Sequence, residues 1–448
     1  MTITDRRRSA RKIVLIGAGS ASFTAGLVAD VLTSGLAEEW TIGLVDTDPG
    51  ALEVARGLVT RMVERRGVAA VIQPSTDRCE VLPGADVVVT TIAVGGRRAW
   101  ELDVLVPREH GVFHPVGDTT GPGGISRALR QIPPMLDIAR DVQRLCPEGR
   151  FFNYANPMAM ICRAVNKATP ASVVGLCHGV QGTLRYLCGF IGVPYDEVGA
   201  LYAGMNHLTW ITHFTHQGED LWPRVDAELA RREKESGETP DPRVDNPFSW
   251  DLYRTYGAFP AVLDRHVSEF FPEYFPGGAY YGKTLGRDAF DFEAVIEGGD
   301  KHFQKMAAIA RGEEPLPEGM FDRAAGEHEA LIDIVGSMFH DAQKLFPMNV
   351  PNRTIPGIPP EFVVEVPVAA TAAGCVPIAL PPLPSGVLAT VTEALYGVEL
   401  AVEAALTGDQ KLLVQALQYD RHVITRLAAE ALADALLKAH AQHLPQFA

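Results

Sequence analysis

The aliphatic run Lys12-Ile13-Val14-Leu15-Ile16 passes without a break into Gly17-Ala18-Gly19-Ser20-Ala21-Ser22-Phe23 and then a helical pattern, and nothing else in the 448 residues limits the fold so strongly. A buried strand, a Gly-x-Gly turn and a helix in that order form the first unit of a dinucleotide-binding sheet. The glycines let the backbone turn tightly and approach a pyrophosphate, while the helix N-terminus offers unpaired N–H groups and the positive end of its dipole. Gly17, Gly19, Ser20, Ser22 and Phe23 are therefore the expected cofactor contacts. Asp46 follows the second strand-like run, Thr41-Ile42-Gly43-Leu44-Val45. A carboxylate there accepts from the ribose hydroxyls and repels a 2′-phosphate, which favours NAD over NADP.

Further short apolar runs at 86–92, 151–154 and 173–175 alternate with amphipathic patterns, as in a parallel sheet covered on both faces. The spacing predicts an α/β chain with two parts. Residues 1–195 form a Rossmann-like, doubly wound parallel sheet, and residues 196–448 form a mixed α+β domain that holds substrate and metal. In the second part we expect a strand over 198–202, a hairpin-like stretch over 209–215, a polar charged segment over 231–245 and a strand over 362–366. Helices are expected over 387–406 and 410–437, where apolar residues recur every three or four positions.

Composition narrows the class. No uninterrupted apolar run approaches the roughly 20 residues of a membrane span, and the polar, basic start lacks the apolar stretch of a signal peptide. A formal net charge of −15 opposes nucleic acid, and Arg6-Arg7-Arg8 is too short an arm to reverse that. The six cysteines are scattered, the pattern of a reduced, cytoplasmic protein. We expect neither a membrane nor a nucleic-acid partner.

Two further segments carry chemistry. Gly175-Leu176-Cys177-His178-Gly179 and Gly204-Met205-Asn206-His207 each stand at the end of an apolar run. A thiolate and an imidazole suit a borderline divalent cation such as Mn²⁺, Fe²⁺, Co²⁺ or Ni²⁺, and two protein ligands leave positions open for substrate and water. Packing alone accounts for each residue taken singly, since cysteine is among the most buried types and histidine often packs or caps. The cluster Gly117-Asp118-Thr119-Thr120-Gly121-Pro122-Gly123-Gly124 precedes another helix and could seat the nicotinamide end or the substrate.

The chain resembles glycoside hydrolase family 4, the NAD- and divalent-metal-dependent glycosidases. The resemblance runs through 12–23, Val94-Gly95-Gly96, 117–127, Asn153-Tyr154-Ala155-Asn156-Pro157, Cys177-His178-Gly179-Val180-Gln181-Gly182, 204–210, Val350-Pro351-Asn352, 363–367 and 399–409. It implies hydrolysis by an indirect route. NAD⁺ takes a hydride from C3, the cation polarises the ketone, a base removes the C2 proton, the aglycone is eliminated, water adds and the hydride returns.

By the same resemblance Cys177 and His207 hold the metal, with Mn²⁺ the expected ion, and Asn153 and Asn156 contact substrate and cofactor. Asp264 is the first candidate for the C2 base and Tyr281 the alternative. His178 joins the catalytic set: phosphoglycosidases of the family tend to carry Asp or Asn there, so the chain resembles the branch acting on unphosphorylated α-hexosides. Arg353 departs from the family's Asn-x-Gly pattern and could pair with a uronate, phosphate or sulfonate, as could Arg97 and Arg98. The family also implies a homodimer or homotetramer. Two rival classes are a metal-free 2-hydroxyacid dehydrogenase and a non-catalytic nucleotide sensor.

Overall fold

The computed structural model describes residues 10–236, 245–322 and 330–448; the Arg6-Arg7-Arg8 arm and residues 237–244 of the polar segment lie outside the described residues. Six parallel strands form the first half of the sheet: β1 (Ala10–Ile16), β2 (Glu39–Val45), β3 (Ala69–Ser75), β4 (Val87–Thr90), β5 (Arg150–Asn153) and β6 (Val174–Gly175). Their order, β3-β2-β1-β4-β5-β6, places the chain reversal between β1 and β4. Central strands read as continuous apolar runs because both faces are covered, and all four residues of β4 are buried. The edge strand β3 buries none of its residues fully.

The sheet does not stop at residue 195, which lies in the 3₁₀ turn Tyr195–Glu197. The later strands are β7 (Val198–Met205), β8 (Leu208–His216), β9 (Glu219–Asp220), β10 (Phe259–Ala261), the small hairpin β11 (Ala279–Tyr280) with β12 (Lys283–Thr284), β13 (Lys344–Pro351), β14 (Val363–Thr371) and β15 (Gly374–Pro377). Asn349 of β13 pairs antiparallel with Gly175, β13 pairs with β14 along its whole length, and Glu365 of β14 pairs with Gly204 of β7. Among the described residues only β11 and β12 stand apart; the other 13 strands form one mixed sheet. The register places Asn349 opposite Glu365, and the carboxylate of Glu365 accepts from Asn349 Nδ2 at 2.9 Å and from Thr209 Oγ1 at 2.6 Å. This buried polar row ties β13, β14 and β8 together beneath the site.

One helical expectation needs correction. The helix expected over 410–437 is two helices, Gln410–Tyr419 and Arg426–Ala439. Asp420 ends the first by turning its carboxylate to Gly121 N at 2.9 Å and Thr120 Oγ1 at 3.1 Å, and Arg421 follows with φ +68°. A C-terminal carboxylate thus caps the helix Gly121–Leu145, whose own Thr120 supplies no side-chain cap. The helix Ser385–Thr407 is long and apolar enough to cross a membrane by length and composition. It instead buries residues including Val387, Val391, Leu395 and Val398, and its Glu399 pairs with Arg163 and Lys167.

Candidate active site

The turn after β1 has the shape a pyrophosphate requires. Gly17 has φ +92°, and a Cβ there would lie 2.8 Å from the backbone nitrogen of Ile92. At Gly19 a Cβ would meet Ala51 Cβ at 2.6 Å and Asp46 Oδ2 at 2.8 Å. The Gly19 N–H donates to Asp46 Oδ2 at 2.8 Å, and Asp48 N donates to Oδ1 at 3.0 Å, so Asp46 locks the glycine turn to the end of β2. The helix starts later than the sequence pattern indicates, at Thr24, with Phe23 at its N-cap and no side-chain cap. Ser20 and Ser22 therefore lie in the intervening turn, where Ser20 Oγ accepts from Phe23 N at 3.4 Å. These features fit NAD. Gly19→Ala is expected to weaken NAD binding by about 10-fold or more, because the methyl must displace Asp46 or Ala51; cofactor titration followed by nicotinamide or tryptophan fluorescence measures it.

Cys177 and His207 meet as expected, with Sγ 3.5 Å from Nε2. Cys177 follows β6 and precedes the helix Gly179–Ile191, whose first residue donates its N–H to Sγ at 3.3 Å. Backbone donation at a helix N-terminus favours the thiolate, the form that ligates metals. His207 sits in the tight turn between β7 and β8 at φ +63°. Gly204 permits that turn, since a Cβ there would be 2.3 Å from Leu208 O.

Two residues that sequence reasoning did not assign complete the cluster. Asp118, His207 and His266 each offer a ligand atom, all within 4.8 Å of one another, and the rings of His207 and His266 stand 4.4 Å apart. Thr119 Oγ1 bridges Asp118 Oδ1 at 2.7 Å and His207 Nδ1 at 2.7 Å, leaving Nε2 turned to Cys177. Burial pushes His207 down against the pull of Asp118, and burial followed by the neighbouring His207 pushes His266 down to about 3. Burial alone would raise Asp118, but His207, His266 and Arg127 hold it below the usual carboxylate range. Neutral imidazoles beside an ionised carboxylate are the protonation states that bind a cation. The donor set fits a divalent transition metal. The glycine cluster carrying Asp118 was a visible signal; His266 was hidden beside the more conspicuous Asp264.

The remaining expected residues divide. Asn156 Nδ2 donates to Asp118 Oδ2 at 3.1 Å, and its buried Oδ1 has no partner, so it faces the cluster with an acceptor to spare. Asn153 is occupied differently: its Oδ1 accepts from Thr90 Oγ1 and Ala155 N, and its Nδ2 donates to Ala155 O at 2.9 Å. It shapes the loop and has no amide group left for substrate. His178 is exposed at the N-cap of the helix that follows Cys177. Tyr281 donates to Asp251 Oδ2 at 2.8 Å.

Asp264 does not suit the base expected of it. Its buried carboxylate accepts from Phe248 N at 2.8 Å, Ser249 N at 2.7 Å, Ser249 Oγ at 2.6 Å and Tyr280 Oη at 2.6 Å, which saturates it at the start of the helix Pro247–Tyr256. Arg353 is exposed and makes no ion pair among the described residues, while its neighbour Asn352 holds the loop through Ile355 O and Ile358 O. Arg97 and Arg98 are both spent on Asp300.

A doubly wound sheet with a dinucleotide turn at one strand end and a thiol–imidazole–carboxylate cluster drawn from both parts of the chain defines a cofactor-assisted enzyme of Rossmann type. The profile of the Family 4 glycosyl hydrolases matches residues 12–192, and that of the Family 4 glycosyl hydrolase C-terminal domain matches residues 202–423. The chain belongs to this family and is a glycoside hydrolase. It is 27% identical over 446 residues to an alpha-galactosidase of Bacillus subtilis, covering 98% of this chain and 100% of that one. To an alpha-galacturonidase of the same organism it is 30% identical over 450 residues, covering 95% and 97%. A 6-phospho-alpha-glucosidase from gut microorganisms, solved with NAD and glucose-6-phosphate, shares the fold with a TM-score of 0.82 at 22% identity, covering 98% of this chain and 100% of that one.

Proposed function

We propose that this chain hydrolyses an unphosphorylated α-hexoside, using NAD and a divalent cation such as Mn²⁺. The 3.5 Å approach of Cys177 Sγ to His207 Nε2 carries the reading, because two ligands poised around an open position have no use in a direct displacement at C1. When bound, NAD⁺ supplies a reversible hydride acceptor at C3 and the cation a Lewis acid, which together make the C2 hydrogen acidic. Cys177 and His207 would hold the cation, Asp118 would set the orientation of His207 through Thr119, and Asn156 would offer its free amide oxygen to a sugar hydroxyl. The relatives named alpha-galactosidase, alpha-glucosidase and alpha-galacturonidase support an unphosphorylated sugar, and His178 beside the metal cysteine supports it as well.

The test is release of p-nitrophenol from p-nitrophenyl α-hexosides, with Mn²⁺, NAD⁺ and thiol omitted in turn. Each omission should abolish turnover, and the sugar released in D₂O should carry deuterium at C2. Hydrolysis without deuterium at C2 sinks the reading. A 2′-phosphate bound beside the Asp46 carboxylate would meet like charge, so NADP at limiting concentration should support at least about 10-fold less turnover than NAD. Equal activation by the two would place Asp46 away from the ribose. All six cysteines are free thiols, which supports a reducing cytoplasmic setting, and light scattering should find the homodimer or homotetramer usual for the family.

A further inference from the structure

We propose that Arg265 binds the carboxylate of a hexuronide, so that the preferred substrate of this site is an α-linked uronic acid rather than the neutral hexose. The inference rests on the glycosidase reading above and narrows its substrate class. Arg265 occupies the short helix Asp264–Val267 next to His266, whose ring stands against His207. Most other arginines near the site are spent. Arg127 donates to Asn156 O, Arg130 pairs with Asp103, and Arg421 pairs with Glu273. Arg265 alone among them is half-buried without a hydrogen bond or ion pair to any described residue, and its Nε is fully buried with no acceptor.

A guanidinium does not deprotonate to escape such a site, so its desolvated N–H calls for an acceptor from outside the chain. It is not the sole orphan there. His266 Nδ1 and Ser268 Oγ, one and three residues on, are also buried without partners. Three unsatisfied polar atoms on one short segment beside the metal ligands mark a place that a polar ligand fills. The charge count selects a carboxylate. One planar fork matches one carboxylate bidentately, whereas a phosphate near −2 would call for a second buried cation; Arg97, Arg98 and Arg127 are engaged elsewhere, and Arg353, though unpaired among the described residues, is exposed.

The experiment compares the wild type, Arg265→Met and Arg265→Lys, supplied with NAD⁺, Mn²⁺ and thiol, on p-nitrophenyl α-D-galacturonide, α-D-glucuronide, α-D-galactoside and the galactoside 6-phosphate. Calorimetry of free galacturonate and glucuronate runs alongside. The wild type should favour a uronide over the galactoside. Arg265→Met should lower kcat/KM for that uronide about 100-fold, mainly through KM, and weaken binding of the free uronate, with Lys restoring part of each. An unchanged melting temperature would show that the loss is not unfolding, as expected for a side chain without protein partners. A wild-type preference for the galactoside or the 6-phosphate, or a uronide-to-galactoside ratio unmoved by Arg265→Met, overturns the assignment while leaving the glycosidase reading intact. If no glycoside is cleaved, the glycosidase reading fails by itself, and Arg265-dependent uronate binding in the calorimeter still decides the role of Arg265.

Discussion

Cys177→Ser is expected to yield a folded chain that binds NAD normally, has lost its divalent cation and hydrolyses glycosides at least about 1,000-fold more slowly in kcat/KM. The size follows from the work the cation does. Polarising a ketone and stabilising the charge at C2 supplies several kcal/mol, and Cys177→Ser removes the thiolate from a donor set otherwise made of Asp118, His207 and His266. The serine oxygen is close to isosteric but stays protonated at neutral pH, so the Gly179 N–H that favours a thiolate meets a poor ligand. The NAD turn is a separate structure, closed by Asp46, and should bind cofactor with unchanged affinity. Chelator treatment of the wild type should reproduce the loss, and Mn²⁺ should reverse it there but not in the variant. Metal analysis after desalting and NAD titration separate the two effects. A serine variant that retains both the cation and full activity would remove Cys177 from the site.

Local physics made the first half of the fold legible. Buried parallel strands are continuous apolar runs, and the glycines of the nucleotide turn are dictated by φ and by the 2.6–2.8 Å approaches that forbid a side chain. Cys177 and His207 were also visible, each at the end of such a run. The companions of His207 were not, because Asp118, His207 and His266 come from two loops and a short helix whose meeting depends on a sheet that crosses the expected boundary. The strand that carries the crossing, β13, contains Pro347 and Pro351 and so lacks an alternating pattern. The break at Asp420 was hidden for a related reason. Apolar spacing persists through it, and only the distant helix N-terminus at Gly121 explains why the carboxylate leaves its own helix.

Asp264 and Tyr281 separate the two kinds of role most sharply, and their variants should fail in different ways. Asp264→Asn is expected to cost about 2–4 kcal/mol of stability, seen as a lower denaturant midpoint, because an amide cannot accept from Phe248 N, Ser249 N, Ser249 Oγ and Tyr280 Oη together, and those donors stay buried. Burial raises its carboxyl and these hydrogen bonds oppose the rise, the balance of a structural anchor rather than a base open to substrate. Tyr281 has one polar partner, and that partner can take a proton. Burial, then the hydrogen bond to Asp251, pushes the phenol above its ordinary value, while burial also lifts Asp251. Were Tyr281 the base, its phenolic oxygen would receive the C2 proton while its own proton passed to Asp251 Oδ2 along the 2.8 Å contact. Tyr281→Phe should therefore preserve the denaturant midpoint and substrate binding while slowing C2 exchange in D₂O by about 100-fold or more. Asp251→Asn should give a smaller loss of the same kind. If instead Tyr281→Phe exchanges C2 at the wild-type rate while folded Asp264→Asn does not, the base is Asp264, and its four hydrogen bonds must loosen when the sugar binds.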